Sequence, residues 1–127
     1  MDKKAAGVKA RREGKRFETQ VQADLEKDGW LVMRFMKKVE NGKLINSRPK
    51  WVGGRLLSFH TGFPDFICLR PGAYGWSVAL VECKLRGLLS MEEKEQVRVL
   101  RNEVKLDVLV AYKDDSEIRY KPALADS

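Results

Sequence analysis

Between Gly62 and Lys84 the chain holds two apolar runs joined by a short Pro/Gly turn, and each run carries ionisable groups where a core strand should be uniformly apolar. The first run is Asp65-Phe66-Ile67-Cys68-Leu69, headed by Gly62-Phe63-Pro64. The second is Trp76-Ser77-Val78-Ala79-Leu80-Val81-Glu82-Cys83-Lys84, and Arg70 to Gly75 form the turn. Strand side chains alternate, so Val78, Leu80, Glu82 and Lys84 share one face while Ala79, Val81 and Cys83 share the other. Pairing through the turn sets Asp65 opposite Glu82. Two carboxylates that close repel strongly away from water, and a divalent cation relieves the repulsion.

The rest of the chain supplies a framework for this pair. Phe17, Val21 and Leu25 recur every fourth residue, which predicts an amphipathic helix from Arg11 to Asp28 stopped by Gly29. Glu18 lies beside that apolar stripe and is expected half-buried at the core edge. Trp30 to Met36 is nearly continuous in apolar character and reads as a strand internal to a sheet. Ser90-Met91-Glu92-Glu93 is a capping box opening a helix to about Val104, with Val97, Leu100 and Val104 facing the sheet. Asp107 to Tyr112 is a further strand, and Asp114-Asp115-Ser116 turns into a last edge strand through Glu117 to Tyr120. The order predicts an α/β domain with a mixed sheet of about four to five strands flanked by helices. At 127 residues one such domain is expected, 11–121, between a basic flexible arm at 1–10 and a tail at 122–127.

Residues 37–61 interrupt the pattern. They hold Asn41-Gly42, Pro49 and Gly53-Gly54 and read as a basic hairpin or lobe whose first turn is Glu40-Asn41-Gly42-Lys43. Such long irregular segments in small domains are often functional. Trp51 within it either packs under the loop or stacks at a branch point, whereas Trp30 and Trp76 are expected in the core. Cys68 and Cys83 lack zinc-site spacing and read as buried free thiols.

The formal net charge of +7 favours a polyanionic partner. Charge clusters at Lys9, Arg11, Arg12 and Lys15, and again at Arg34, Lys37, Lys38, Arg48, Lys50 and Arg55, bracketing the acidic strand pair. These are candidate phosphate contacts that would position DNA without reading bases. His60, the one histidine, is either a phosphate contact or an ordinary loop residue. No apolar run reaches the length of a membrane span and no leader pattern opens the chain. A cytoplasmic, nucleoid-associated location without membrane contact is therefore expected.

Hard oxygen donors with few other ligands suit Mg²⁺ or Mn²⁺, with Asp65 and Glu82 as ligands and the Cys83 backbone carbonyl between them as a third. Lys84 would position or help deprotonate a water, or stabilise a pentavalent phosphorus. Taken singly, Glu82 and Lys84 read as a surface ion pair and Pro64-Asp65 as a turn. Their combination is what points to a site.

Pro64-Asp65 followed by Glu82-x-Lys84 resembles the motif of the PD-(D/E)xK nuclease superfamily. Gly14-Lys15-Arg16-Phe17-Glu18, Gly29-Trp30 and Val32-Met33-Arg34 resemble the archaeal Holliday junction resolvases. Gly62-Phe63-Pro64-Asp65-Phe66, Val81-Glu82-Cys83-Lys84 and Leu89-Ser90-Met91-Glu92-Glu93 resemble the VRR-NUC branch. The resemblance implies a restriction-endonuclease-like core and a metal-dependent DNA endonuclease with Glu18, Asp65, Glu82 and Lys84 as catalytic residues, Glu18 holding the metal directly or through water. It further implies branched DNA as substrate and a homodimer, since a two-fold junction needs two cuts. Two departures stand out. The resolvases usually carry a short serine-containing loop after the first strand, whereas this chain has a long basic insert with Ser47 and Ser58 farther off. Glu93, or a displaced Gln96, stands where VRR-NUC proteins often carry glutamine. Alternatives are a repair or restriction nuclease acting on duplex, flap or single strands, and a non-catalytic DNA-binding module on the same fold.

Overall fold

The computed structural model describes residues 3–47, 50–58 and 62–124. Helix α1 spans Lys3–Lys27, and α2 spans Met91–Val99 and continues as a π-helical turn over Leu100–Val104. The strands are β1 (Leu31–Arg34), β2 (Lys37–Glu40), β3 (Lys43–Asn46), β4 (Lys50–Val52), β5 (Arg55–Ser58), β6 (Phe66–Gly72), β7 (Gly75–Cys83), β8 (Val108–Asp114) and β9 (Glu117–Pro122). Five of them form the central sheet in the order β1-β6-β7-β8-β9. Only β7 and β8 pair in parallel, with α2 in the connection between them. The sheet is mixed and flanked by helices, as the order of elements predicts.

Alternation along β7 assigns the two helices to opposite faces. Val81 packs with Phe66, Cys68 and Ala111 against Phe17, Val21 and Leu25 of α1. Its neighbour Leu80 packs with Phe35 and Val108 against Val97 and Leu100. Each Val, Leu or Phe side chain among them taken out of water contributes about 1.5–3 kcal/mol. The two clusters thereby fix the sheet between its helices.

Several boundaries differ from the sequence reading. α1 begins at Lys3, so residues 3–10, expected as a flexible arm, are helical: Lys3, Lys4, Ala5, Ala6, Lys9 and Ala10 are good helix formers and outweigh the cost of Gly7 among them. It ends as expected at Gly29, whose φ of 90° lets the Gly29 amide donate to Glu26 O and the Trp30 amide to Leu25 O. β1 is shorter than the run from Trp30 to Met36 and lies at the sheet edge, with Leu31 and Met33 exposed at 54% and 41%. Its apolar character does not come from an internal position. Trp76, expected in the core, is 65% exposed near the β6–β7 turn, while Trp30 is half-buried with Arg70 stacked on it.

The insert forms two separate hairpins, β2–β3 and β4–β5. The first turns at Asn41-Gly42, both with positive φ, and pairs Glu40 with Lys43 as expected. Its Val39 and Leu44 pack against the cluster containing α2 residues Val97 and Leu100. Ala123 and Leu124, in the segment expected as a tail, pack on the same cluster. Among the described residues no helix is long and apolar enough to cross a membrane.

Candidate active site

The β6–β7 register pairs Phe66 with Val81, which carries Asp65 opposite Glu82 at the open end of the hairpin. The two residues lock together through backbone. The Asp65 amide donates to Glu82 Oε1 at 3.0 Å, and the Cys83 amide donates to Asp65 Oδ2 at 2.9 Å. Both carboxylates are nearly out of solvent, at 8% and 6% exposure. Glu18, one residue after the buried Phe17, is half-buried on α1 and accepts a hydrogen bond from Arg34 Nη1 at 3.2 Å. Arg34 ends β1 opposite Phe66, and its guanidinium lies 4.9 Å from that ring's centre. Lys84 follows β7 and pairs with Glu82 Oε2 at 3.6 Å and with Glu93 Oε2 of α2 at 2.6 Å.

Asp65 is the common neighbour in this cluster. Burial, then the charge of Asp65 and a hydrogen bond with it, push the Glu82 carboxyl up to about 9. Burial and then Asp65 also raise Glu18, against the opposing pull of Arg34. The Cys83 thiol is raised by burial first and by the surrounding carboxylates next, so it stays protonated and inert as a nucleophile. Burial opposes the Lys84 charge, yet the hydrogen bond to Glu93 and the field of Glu82 outweigh it and raise its pKa. The cluster thus holds more carboxylate than its cations balance.

That excess is what a hard divalent cation fits. Asp65 and Glu82 offer adjacent oxygens, and Glu18 lies on the other side of Asp65 within its electrostatic reach. Among the described residues no trio of acidic, histidine or cysteine side chains already converges as a finished cage. The reason lies in their present partners: Glu18 is turned to Arg34, and Glu82 to the Asp65 amide and Lys84. A cation would draw the carboxylates from those contacts.

Gly62 explains the head of the motif. A Cβ there would meet the Phe35 carbonyl oxygen at 1.9 Å and the Lys37 carbonyl oxygen at 3.0 Å. The close approach lets the Phe63 amide donate to Lys37 O and the Phe35 amide to Asp65 O. Phe63-Pro64 is a cis peptide, and Pro64 is fully buried. Gly62→Ala must push backbone against backbone three residues before Asp65. It is expected to destabilise by about 1–3 kcal/mol, read as a lower urea midpoint, with any activity falling further than the folded fraction.

The basic candidates separate. Lys9, Arg11, Arg12 and Lys15 are exposed along the part of α1 that precedes Glu18. Arg34 is drawn into the carboxylate cluster. Lys37 donates to Asn46 Oδ1 at 2.6 Å, and Lys38 pairs with Glu40 at 3.7 Å. Lys50 and Arg55 belong to β4 and β5, while Arg48 and His60 lie outside the described residues. Glu93 is legible in the sequence as half of a capping box and as the residue at the VRR-NUC glutamine position, but its contact with Lys84 is not. The pairing of Arg34 with Glu18 joins residues 16 apart in sequence, and no local pattern encodes it.

No protein-family model matches the chain, and no curated protein matches it in sequence. Among solved structures it is similar to Archaeoglobus fulgidus Hjc, a Holliday junction resolvase from an archaeal hyperthermophile. The TM-score is 0.52 at 22% identity, covering 87% of this chain and 73% of that one. The likeness is one of fold. It agrees with the expected restriction-endonuclease-like core.

Proposed function

We propose that this protein is a metal-dependent, structure-selective DNA endonuclease acting on branched DNA as a homodimer, with Glu18, Asp65, Glu82 and Lys84 as its catalytic residues. The observation that carries the reading is one cluster. Two buried carboxylates at the paired ends of β6 and β7 lie beside a third on α1 and a lysine at the strand end in a resolvase-like fold. Structural sheets rarely bury like charges beside one another, and perturbed carboxylates of this kind mark sites.

Asp65 and Glu82 would hold Mg²⁺ or Mn²⁺, with the Cys83 carbonyl as a further ligand and Glu18 direct or through water. The ion supplies Lewis-acid polarisation of a phosphate oxygen and acidifies a water. The Asp65 and Cys83 amides hold the two carboxylates side by side until an ion displaces the Glu82 contact. Arg34 balances Glu18 and keeps it from swinging to solvent. Lys84 presents an ammonium to the charge that builds on the phosphate as water attacks phosphorus and the ester oxygen leaves. Lys9, Arg11, Arg12 and Lys15 on α1, and the basic insert, would grip phosphates on either side.

The test compares labelled four-way junction with matched linear duplex, each with Mg²⁺, Mn²⁺ or EDTA. Metal-dependent paired cuts in the junction are expected. Cuts in linear duplex alone would favour a repair or restriction enzyme, and tight binding without cutting under every metal would favour a DNA-binding module.

A further inference from the structure

We infer that Glu93 is a positioning residue for Lys84, drawing its ammonium away from a close contact with Glu82 and keeping it in place for the phosphate; the inference rests on the endonuclease reading above. In a capping box the glutamate at the third helical position turns back to the amide of the cap residue. Glu93 does so with one oxygen only: Oε1 accepts the Ser90 amide at 2.9 Å, while Oε2 accepts Lys84 Nζ at 2.6 Å. The Ser90 hydroxyl completes the box by accepting the Glu93 amide at 3.1 Å. Glu93 is therefore fixed at its backbone and at one oxygen, and the other oxygen is presented to the lysine. Burial opposes its ionised form, but the Lys84 and Ser90 contacts win and keep it a carboxylate.

The alternative partner defines what this contact does. Lys84 has a long flexible stem, and its other acidic neighbour is Glu82 Oε2, at 3.6 Å against 2.6 Å for Glu93. Without Glu93 the 3.6 Å contact with Glu82 would close to a direct hydrogen bond. That pairing would occupy an oxygen assigned to the cation and withdraw the lysine from the phosphate. One carboxylate outside the metal cluster thus keeps both partners available. Pre-positioning of a charged group of this kind is worth large factors in rate, because a displacement near 1 Å costs about a hundredfold.

The experiment uses the full chain with E93A, E93Q and S90A, and two readouts. The first is cleavage of whichever DNA the wild type cuts. E93A is expected to lower kcat about tenfold to a hundredfold with KM within about threefold. E93Q keeps an acceptor for the lysine and should restore most of the loss. S90A breaks the hydroxyl half of the box but keeps the Ser90 amide and the Lys84 contact, so its kcat should stay within about twofold of wild type. The second readout needs no activity: acylation of lysines by a limiting amine reagent, mapped by mass spectrometry. Lys84 should label several-fold faster in E93A than in wild type or S90A, because it then has one carboxylate partner in place of two. Equal labelling in wild type and E93A, or S90A matching E93A in both readouts, would overturn the inference. A wild type that cuts no DNA while Lys84 is still unmasked in E93A would sink the endonuclease and leave the holding contact supported.

Discussion

Asp65→Ala and Glu82→Ala are each expected to lower DNA cleavage by at least about a thousandfold while leaving junction affinity within about threefold of wild type. The two effects separate because different residues produce them. On the proposed reading the carboxylates would hold the ion and touch no phosphate directly, whereas the exposed basic residues on α1, Lys9, Arg11, Arg12 and Lys15, would carry the counterion release that dominates affinity. Gel-shift titration and single-turnover cleavage on the same junction check both halves. Either mutant cutting at the wild-type rate would remove the site assignment.

The second large effect is on stability. In the absence of divalent cations, the protein should become less stable as pH rises from about 4.5, the usual value for a glutamate, to about 9, where Glu82 titrates in the fold. The sign follows from proton binding. In that window the folded chain keeps a proton on Glu82 that the unfolded chain has lost, so raising pH favours unfolding; the contribution is complete below the lower value and gone above the upper one. Glu18, also raised, acts in the same direction. Glu93, lowered, acts only toward its lower acid range, where its stabilisation is lost as pH falls. Glu82→Gln should flatten the slope and raise Tm at pH 8 by about 5 °C or more. Mg²⁺ or Mn²⁺ should raise the wild-type Tm at pH 8 and leave Glu82→Gln unmoved. Thermal melts across pH with EDTA and with metal decide it, and a wild-type Tm that is flat across the window would contradict the buried carboxylate account.

Together these two predictions describe a site that the fold tolerates at a cost. Such clusters persist because something outside the chain completes them.

What the sequence made legible followed from local rules. The pairing of Asp65 with Glu82 was readable because side chains alternate strictly and a short turn fixes how the strands meet. The Ser90 box and the Gly29 stop were readable because capping is local. Glu18 was placed by its position beside Phe17 on an apolar stripe, and its assignment to the cluster by resemblance. The rest depends on tertiary arrangement. An apolar run does not state its place in a sheet, so β1 read as internal although it is an edge. Trp76 read as core because large aromatic residues usually are, but the β6–β7 hairpin carries it past the helices that cover the sheet. The Glu93 contact depends on how residues 85–90 turn α2 back toward the end of β7, which no periodicity encodes. Gly87, with φ of 74° and its amide donating to Lys84 O at 2.7 Å, is part of that turn.

The unbroken register of β6 and β7, from Phe66 with Val81 to Gly72 with Gly75, also limits which length changes this gene could accept. Losing or gaining one codon within β7 between Gly75 and Glu82 would rotate Glu82 toward the α1 face and bring Cys83 or Val81 opposite Asp65. Length changes at the hairpin tip, around Ala73 and Tyr74, leave every pair below them in step. Length variation among descendants of this chain should therefore collect at that tip and be purged from the strand below it.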